Sequence, residues 1–320
     1  MTSRPPSGSP RSRGERQRGM AAAMLSAMFL GAAPIFGKQA YAADMTPLAL
    51  AAWRILIAAA GLWLVYALFG RRYLYIYPVG LLGCVAIGAV NGVGSLMYYS
   101  GLERVDAGVG QMVYSLYPLF LVIFLRLDGH RFSGLTLFRL ALALVAVALI
   151  SQAGSSPVDM AGLGLMLGAG SAYALHLAIG QRVSYEMPAQ TMTLYAITSM
   201  AVVVCAANLI AGWSPVPSAA WQPTLGLAFV TVASRLGMFL GVKRLGSMQT
   251  ALIGITEILA TLVLALTLLG ETLTSRQWIG AGLLIASLLL IGREPTFGGA
   301  LPRRAKPAAT RASPMATEPQ

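Results

Sequence analysis

Ten long apolar runs follow one another along this chain, with charges mostly at their edges. A helix needs about 20 apolar residues to cross the hydrocarbon core of a bilayer. At 320 residues the chain has room for ten such crossings. Charged residues make up 11% of the sequence, too few to coat a soluble domain of this size, and the mean hydropathy is +0.69. The chain reads as an all-α integral membrane protein. A barrel is excluded because its strands would alternate every second residue, whereas these runs are continuous. Isolated charges in hydrocarbon are expensive, so the few that lie inside the runs are the places to look for function.

The expected spans are 20–41, 47–69, 78–100, 108–125 and 134–150, then 161–179, 187–213, 225–242, 249–269 and 277–291. The first run is too long for the apolar core of a signal peptide and is read as a retained helix. The formal charge of +12 is concentrated at the two ends, which are rich in Pro, Ser, Ala and Arg and read as disordered tails, 1–19 and 293–320. Positive residues stay in the cytoplasm. With both termini cytoplasmic, 17 of the 23 Lys and Arg lie inside, three lie at outer edges (Lys38, Arg104, Arg276) and three lie within spans (Arg54, Arg139, Arg235). The basic balance is therefore topological: the partner is the lipid bilayer, not nucleic acid. Cys84 and Cys205 both sit in apolar runs, which argues against a disulfide framework.

The chain also repeats itself. Gly101-Leu102-Glu103-Arg104-Val105 after span three is answered by Gly241-Val242-Lys243-Arg244-Leu245 after span eight. Gly129-His130 after span four is answered by Gly270-Glu271 after span nine, and Pro47 by Pro188. Each half then holds five spans. Five is odd, so the second half enters the membrane from the opposite side, as in many secondary transporters. The expected architecture is ten transmembrane helices as two inverted five-helix repeats.

Five motifs, in this order, are similar to one family: Ala33-Pro34-Ile35-Phe36-Gly37-Lys38, Pro47 with Arg54, Gly101-Leu102-Glu103-Arg104, Tyr117-Pro118 and Gly270-Glu271-Thr272-Leu273. Through them the chain resembles the drug/metabolite transporter superfamily, in its ten-helix EamA-type members. The resemblance spans nearly everything but the tails and implies EamA-like repeats at 20–152 and 161–292. It implies a bacterial inner-membrane carrier of small metabolites, often outward, coupled to a proton or cation gradient. It leaves the substrate and the oligomeric state open. Three departures stand out. The family's Glu-Pro pair is split between Tyr117-Pro118 and Glu257-Ile258. Gly129-His130 replaces Gly-Glu, and Arg235 stands where an aromatic is more usual.

Arg235 and Glu257 are the sharpest candidates. Each lies eleven residues from Gly246, so at about 1.5 Å per residue both reach similar depth. They read either as a substrate-binding site for a polar or zwitterionic head, with Glu257 as the proton-coupling carboxylate, or as an ion pair locking two helices. Arg54, about 10 Å into span two, either enters a central cavity or snorkels to the interface. Asn91, Tyr114 and Tyr117 complete the expected substrate-binding set. Tyr114 and Tyr117 are three apart and so share a helix face. His176 is isolated and reads as a core histidine bonded to a carbonyl. Arg139 reads as snorkelling.

No catalytic residue, metal site or cofactor is expected. Two histidines are too few for a zinc site of the usual kind, and no glycine-rich loop carries Lys-Ser or Lys-Thr for phosphate. The preferred function is a secondary transporter, an exporter of a small metabolite or amino-acid-like solute. A membrane-embedded enzyme or scaffold without transport is the alternative, and a channel a third reading.

Overall fold

The computed structural model describes residues 13–126, 159–184 and 187–290, with isolated positions between 134 and 149. Secondary structure among them is helical, without strands. The helices are α1 (Arg13–Tyr41), α2 (Pro47–Phe69), α3 (Pro78–Arg104), α4 (Ala107–Tyr114) and α5 (Tyr117–Arg126). They continue as α6 (Met160–Ser184), α7 (Ala189–Ile210), α8 (Trp221–Leu245), α9 (Ser247–Ile253), α10 (Ile255–Leu268) and α11 (Ser275–Leu289). Among the described residues eight helices are long and apolar enough to cross a membrane, and they coincide with expected spans one to four and six to nine. Span five, with Arg139, lies outside the described residues except for isolated helical positions, and so does the tail after residue 290. The described part of span ten, α11, is 15 residues long. α1 starts at Arg13, inside the segment 1–19 that reads as a tail; Glu15 in its first turn suits the positive end of the helix dipole.

Local chemistry sets the ends. Thr46 caps α2, accepting from the Ala49 N–H at 3.4 Å, and Pro47 follows where a missing N–H does no harm. Asp159 caps α6, accepting from the Ala161 N–H at 2.8 Å, and pairs with Arg104 at 3.1 Å. The Arg104 hydrogen bond, then the Ala161 N–H, hold the Asp159 carboxyl below its usual range. α8 ends at Gly246, whose φ of 92° suits only a residue without a Cβ.

The helices pack in crossed pairs. α1 lies mainly against α8 and then α10; α3 lies against α6 and α7; α2 touches α7 and α8; α5 lies against α6. Small residues permit the closest of these approaches. A Cβ on Gly88 would stand 2.4 Å from the Ala196 carbonyl of α7, and one on Gly237 would stand 2.7 Å from the Ala22 carbonyl of α1. Gly164 of α6, by contrast, faces open space. Outward faces are apolar, with Leu64, Phe69, Ile210 and Phe229 exposed, as a lipid-facing surface requires. Trp53 packs against Trp213 and Trp221 at the α7–α8 connection, with its ring N–H on the Ser214 carbonyl at 3.0 Å.

Candidate functional site

A cavity lies where α2, α3, α4, α8 and α10 converge, closed by apolar residues of α1 and α6. α3 presents Asn91, Ser95 and Tyr98, spaced four and three apart and therefore on one face. α8 presents Thr231, Ser234 and Arg235; α2 gives Arg54, α4 gives Tyr114 and α10 gives Glu257. The space open to the centre of a water-sized molecule is about 40 Å³. At about 10–15 Å³ per water that is room for about three.

The three charges are inside. Arg54 is 5% exposed, Arg235 8% and Glu257 1%, which removes snorkelling as an account of Arg54. Arg54 donates to the Thr231 hydroxyl at 2.8 Å and to the Ser95 hydroxyl, and its guanidinium lies 4.5 Å over the Tyr99 ring. Its Nε is buried without a partner. Arg235 donates to Asn91 Oδ1 at 3.2 Å and lies 5.2 Å over the Tyr173 ring. Glu257 accepts from Gln111 Nε2 at 2.7 Å. Among the described residues Arg235 and Glu257 make no ion pair within 4.0 Å. Both reach one cavity, but each takes a neutral amide as its partner. A locked ion pair is therefore not what this structure contains.

Tyrosines form the wall behind the charges. Tyr98 and Tyr114 pack with centroids 5.0 Å apart, Tyr114 and Tyr173 5.6 Å apart, and Tyr173 and Tyr117 4.8 Å apart. Tyr117 does not line the cavity with Tyr114. The helix breaks between them, α4 ending at Tyr114 and α5 starting at Tyr117, where Pro118 removes a backbone donor. Their rings still pack against each other, with centroids 5.9 Å apart, as their spacing implies, but only Tyr114 reaches the cavity. His176 sits behind Tyr173, stacked at 13°, with Nδ1 3.2 Å from the Ile87 carbonyl, the core position its isolation suggested.

The second half breaks too, between α9 and α10 at Gly254. The two breaks touch. The Tyr117 hydroxyl donates to the Ala251 carbonyl at 3.4 Å, and a Cβ on Gly254 would fall 1.8 Å from the Tyr117 oxygen. Glycine is required there by close approach. The free ends of the broken helices are capped from elsewhere. Glu271 accepts from the Ala107 and Gly108 N–H groups at 2.7 and 2.9 Å, capping α4. Gln181 accepts from the Ser247 N–H at 3.1 Å and from the Ser247 hydroxyl, capping α9. One cap is a carboxylate and the other a neutral amide. Gly129 and His130, the counterparts of Gly270 and Glu271, lie outside the described residues.

Of the expected site residues, Arg54, Asn91, Tyr114, Arg235 and Glu257 come together and Tyr117 stands one layer behind. Ser95, Tyr98, Tyr99, Thr231 and Ser234 were not anticipated. The α3 residues at 91, 95 and 98 follow helical spacing from Asn91, and that periodicity could have found them. Among the described residues no cluster of three His, Cys, Asp or Glu could hold a metal ion.

A model of the EamA-like transporter family matches the chain twice, over residues 17–152 and 160–293. Threonine/homoserine exporters RhtA of Escherichia coli, from strain K12, strain O6:H1 (CFT073) and strain O157:H7, are each 26% identical over 213 residues. That is 63% of this chain and 67% of theirs. A solved crystal structure, 19% identical, superposes with a TM-score of 0.59 over 87% of this chain and 96% of its own. At that identity it speaks for the fold alone.

Proposed function

The chain belongs to the EamA-like transporter family, and from that premise we propose that this integral membrane transporter is a secondary exporter of a small amino-acid-like solute, coupled to a proton or cation gradient through Glu257. The observation that carries the reading is the cavity itself. It holds two buried guanidinium groups and a buried carboxylate, and it lies at the breaks in two spans. Interrupted helices at corresponding places in two halves are where such carriers bind solutes and ions. Export of an amino acid is supported by the likeness to exporters named for threonine and homoserine.

The fold is proposed as ten spans in two inverted five-helix repeats. The packing supports this: α1 against α8 is span one on span eight, and α3 against α6 is span three on span six, its equivalent. Both termini are proposed to be cytoplasmic, in a bacterial inner membrane, from the distribution of Lys and Arg. A cytoplasm-only reporter fused after Ile291 is then active, and activity from a periplasmic reporter alone at that point overturns the orientation.

The functional test is solute counterflow and proton-driven transport in proteoliposomes containing the wild type or Glu257→Gln. The variant is expected to retain solute exchange and lose accumulation driven by the gradient. Undiminished coupled transport removes the carboxylate from the mechanism. Flux that fails to saturate marks a channel instead.

A further inference from the structure

Resting on the transport reading above, we infer that the cavity takes a solute with two anionic groups and one ammonium group: an acidic amino acid or a close derivative. Arg54 and Arg235 face one cavity from α2 and α8, and among the described residues neither has a carboxylate within 4.0 Å. Each guanidinium carries five N–H donors. Arg54 spends two of its groups on the hydroxyls of Thr231 and Ser95, and its buried Nε has no partner. Arg235 donates to the Asn91 amide oxygen and to the soft sulfur of Met238. Both cations therefore keep donors for an anion, in the fork geometry that matches a carboxylate.

Glu257 is the third charge on this cavity, and among the described lining residues there is no fourth. Gln111 occupies one of its oxygens and leaves the other for a donor. In the deprotonated state of the Glu257 cycle proposed above, two cations and one anion leave the cavity at one net positive charge. A neutral amino acid brings one carboxylate and one ammonium, so one guanidinium stays uncompensated in a membrane interior where that is costly. A plain dicarboxylate satisfies both guanidiniums and leaves Glu257 facing no cation. A solute with two carboxylates and one ammonium gives each of the three charges an opposite one. The tyrosine rings beside the charges add faces that tolerate the ammonium. Arg235 is the specificity-determining residue in this scheme, because the cavity without it would match a neutral amino acid.

The experiment compares near-isosteric pairs on the full-length protein in detergent. Binding of L-aspartate and L-glutamate is measured against L-asparagine and L-glutamine, which lack one charge, and against succinate, which lacks the ammonium. The acidic amino acids are expected to bind at least about ten-fold more tightly than their amides and than succinate, as loss of one buried charged contact implies. Arg235→Gln is expected to abolish that preference. If the variant does not fold, the wild-type series decides alone. Amides that bind as tightly as the acids, or no binding by either, overturn the inference. Counterflow of labelled neutral amino acids in the same case leaves the transport reading standing. Tight binding of the acids with no flux of any solute in proteoliposomes sinks the transport reading and leaves the charge match intact.

Discussion

Glu271→Ala should weaken the protein far more than loss of a half-buried surface carboxylate normally does. The carboxylate holds the first two N–H groups of α4 at 2.7 and 2.9 Å, across 164 and 163 residues of chain. Hydrogen bonds to a charged group contribute about 1.5–3 kcal/mol each, and an anion at a helix N-terminus about 0.3–1 kcal/mol. The site is only part-buried, so solvent screens the charge and the low end applies. The expected loss is about 2–4 kcal/mol. At about 2–4 °C per kcal/mol for a chain of this order, the melting temperature should fall by about 4–16 °C. Glu271→Gln keeps an acceptor oxygen and should lose about half as much. The assay is intrinsic tryptophan fluorescence during heating in detergent. Glu103→Ala is the control: it is exposed and should change stability by less than about 0.5 kcal/mol. If Glu271→Ala melts with that control, the cap contributes nothing and the picture of one half clamping the other is wrong.

Arg54→Met and Arg235→Met should each reduce transport at least about ten-fold while leaving the melting temperature unchanged or raised, because each removes a buried cation with no carboxylate beside it; a large drop in melting temperature with intact flux would make them structural. Gly254→Ala should cost about 1–3 kcal/mol through its clash with the Tyr117 hydroxyl, and Tyr117→Phe should relieve part of that in the double variant; additive melting shifts would refute the contact. Asp159→Asn should lower the melting temperature at neutral pH. The Asp159 carboxyl titrates below its unfolded value of about 3.9, so its contribution is complete above that pH and disappears as pH falls through the lower folded value. A gap between wild type and variant that persists unchanged at the acid end would exclude the charged pair with Arg104 as its source.

The membrane class and the register of spans one to four and six to nine are visible in the apolar runs, because lipid forces long continuous helices and leaves little else to decide. Arg54, Asn91, Arg235 and Glu257 were visible for the same reason: polar groups stand out against hydrocarbon. Thr231 and Ser234 did not stand out, since small hydroxyls are common in such helices and satisfy themselves locally; Thr231 bonds the Leu227 carbonyl at 2.7 Å in its own helix. Tyr99 was hidden by its place beside the loop motif. The partner of Glu257 was also out of reach. Depth along a helix says which groups share a level, and does not say that Gln111 rather than Arg235 is the one pointing at the carboxylate. Pro118 announces the first helix break, while Gly254, one glycine among 35, announces nothing until Tyr117 is seen against it.

The aromatic wall has a mechanical consequence. Tyr98, Tyr114 and Tyr173 belong to three different helices, α3, α4 and α6, and their rings hold one another at about 5 Å. A ring is a stiff plate on two torsions and cannot thin itself as a lysine or methionine can. The tyrosine side of the chamber, where Tyr173 backs Tyr114, therefore yields little to small rotamer adjustments. Its position is set by the packing of those three rods, as one jaw of a caliper is set by its frame. A lesion that tilts any one of them, even near a helix end far from the charges, moves that side of the chamber.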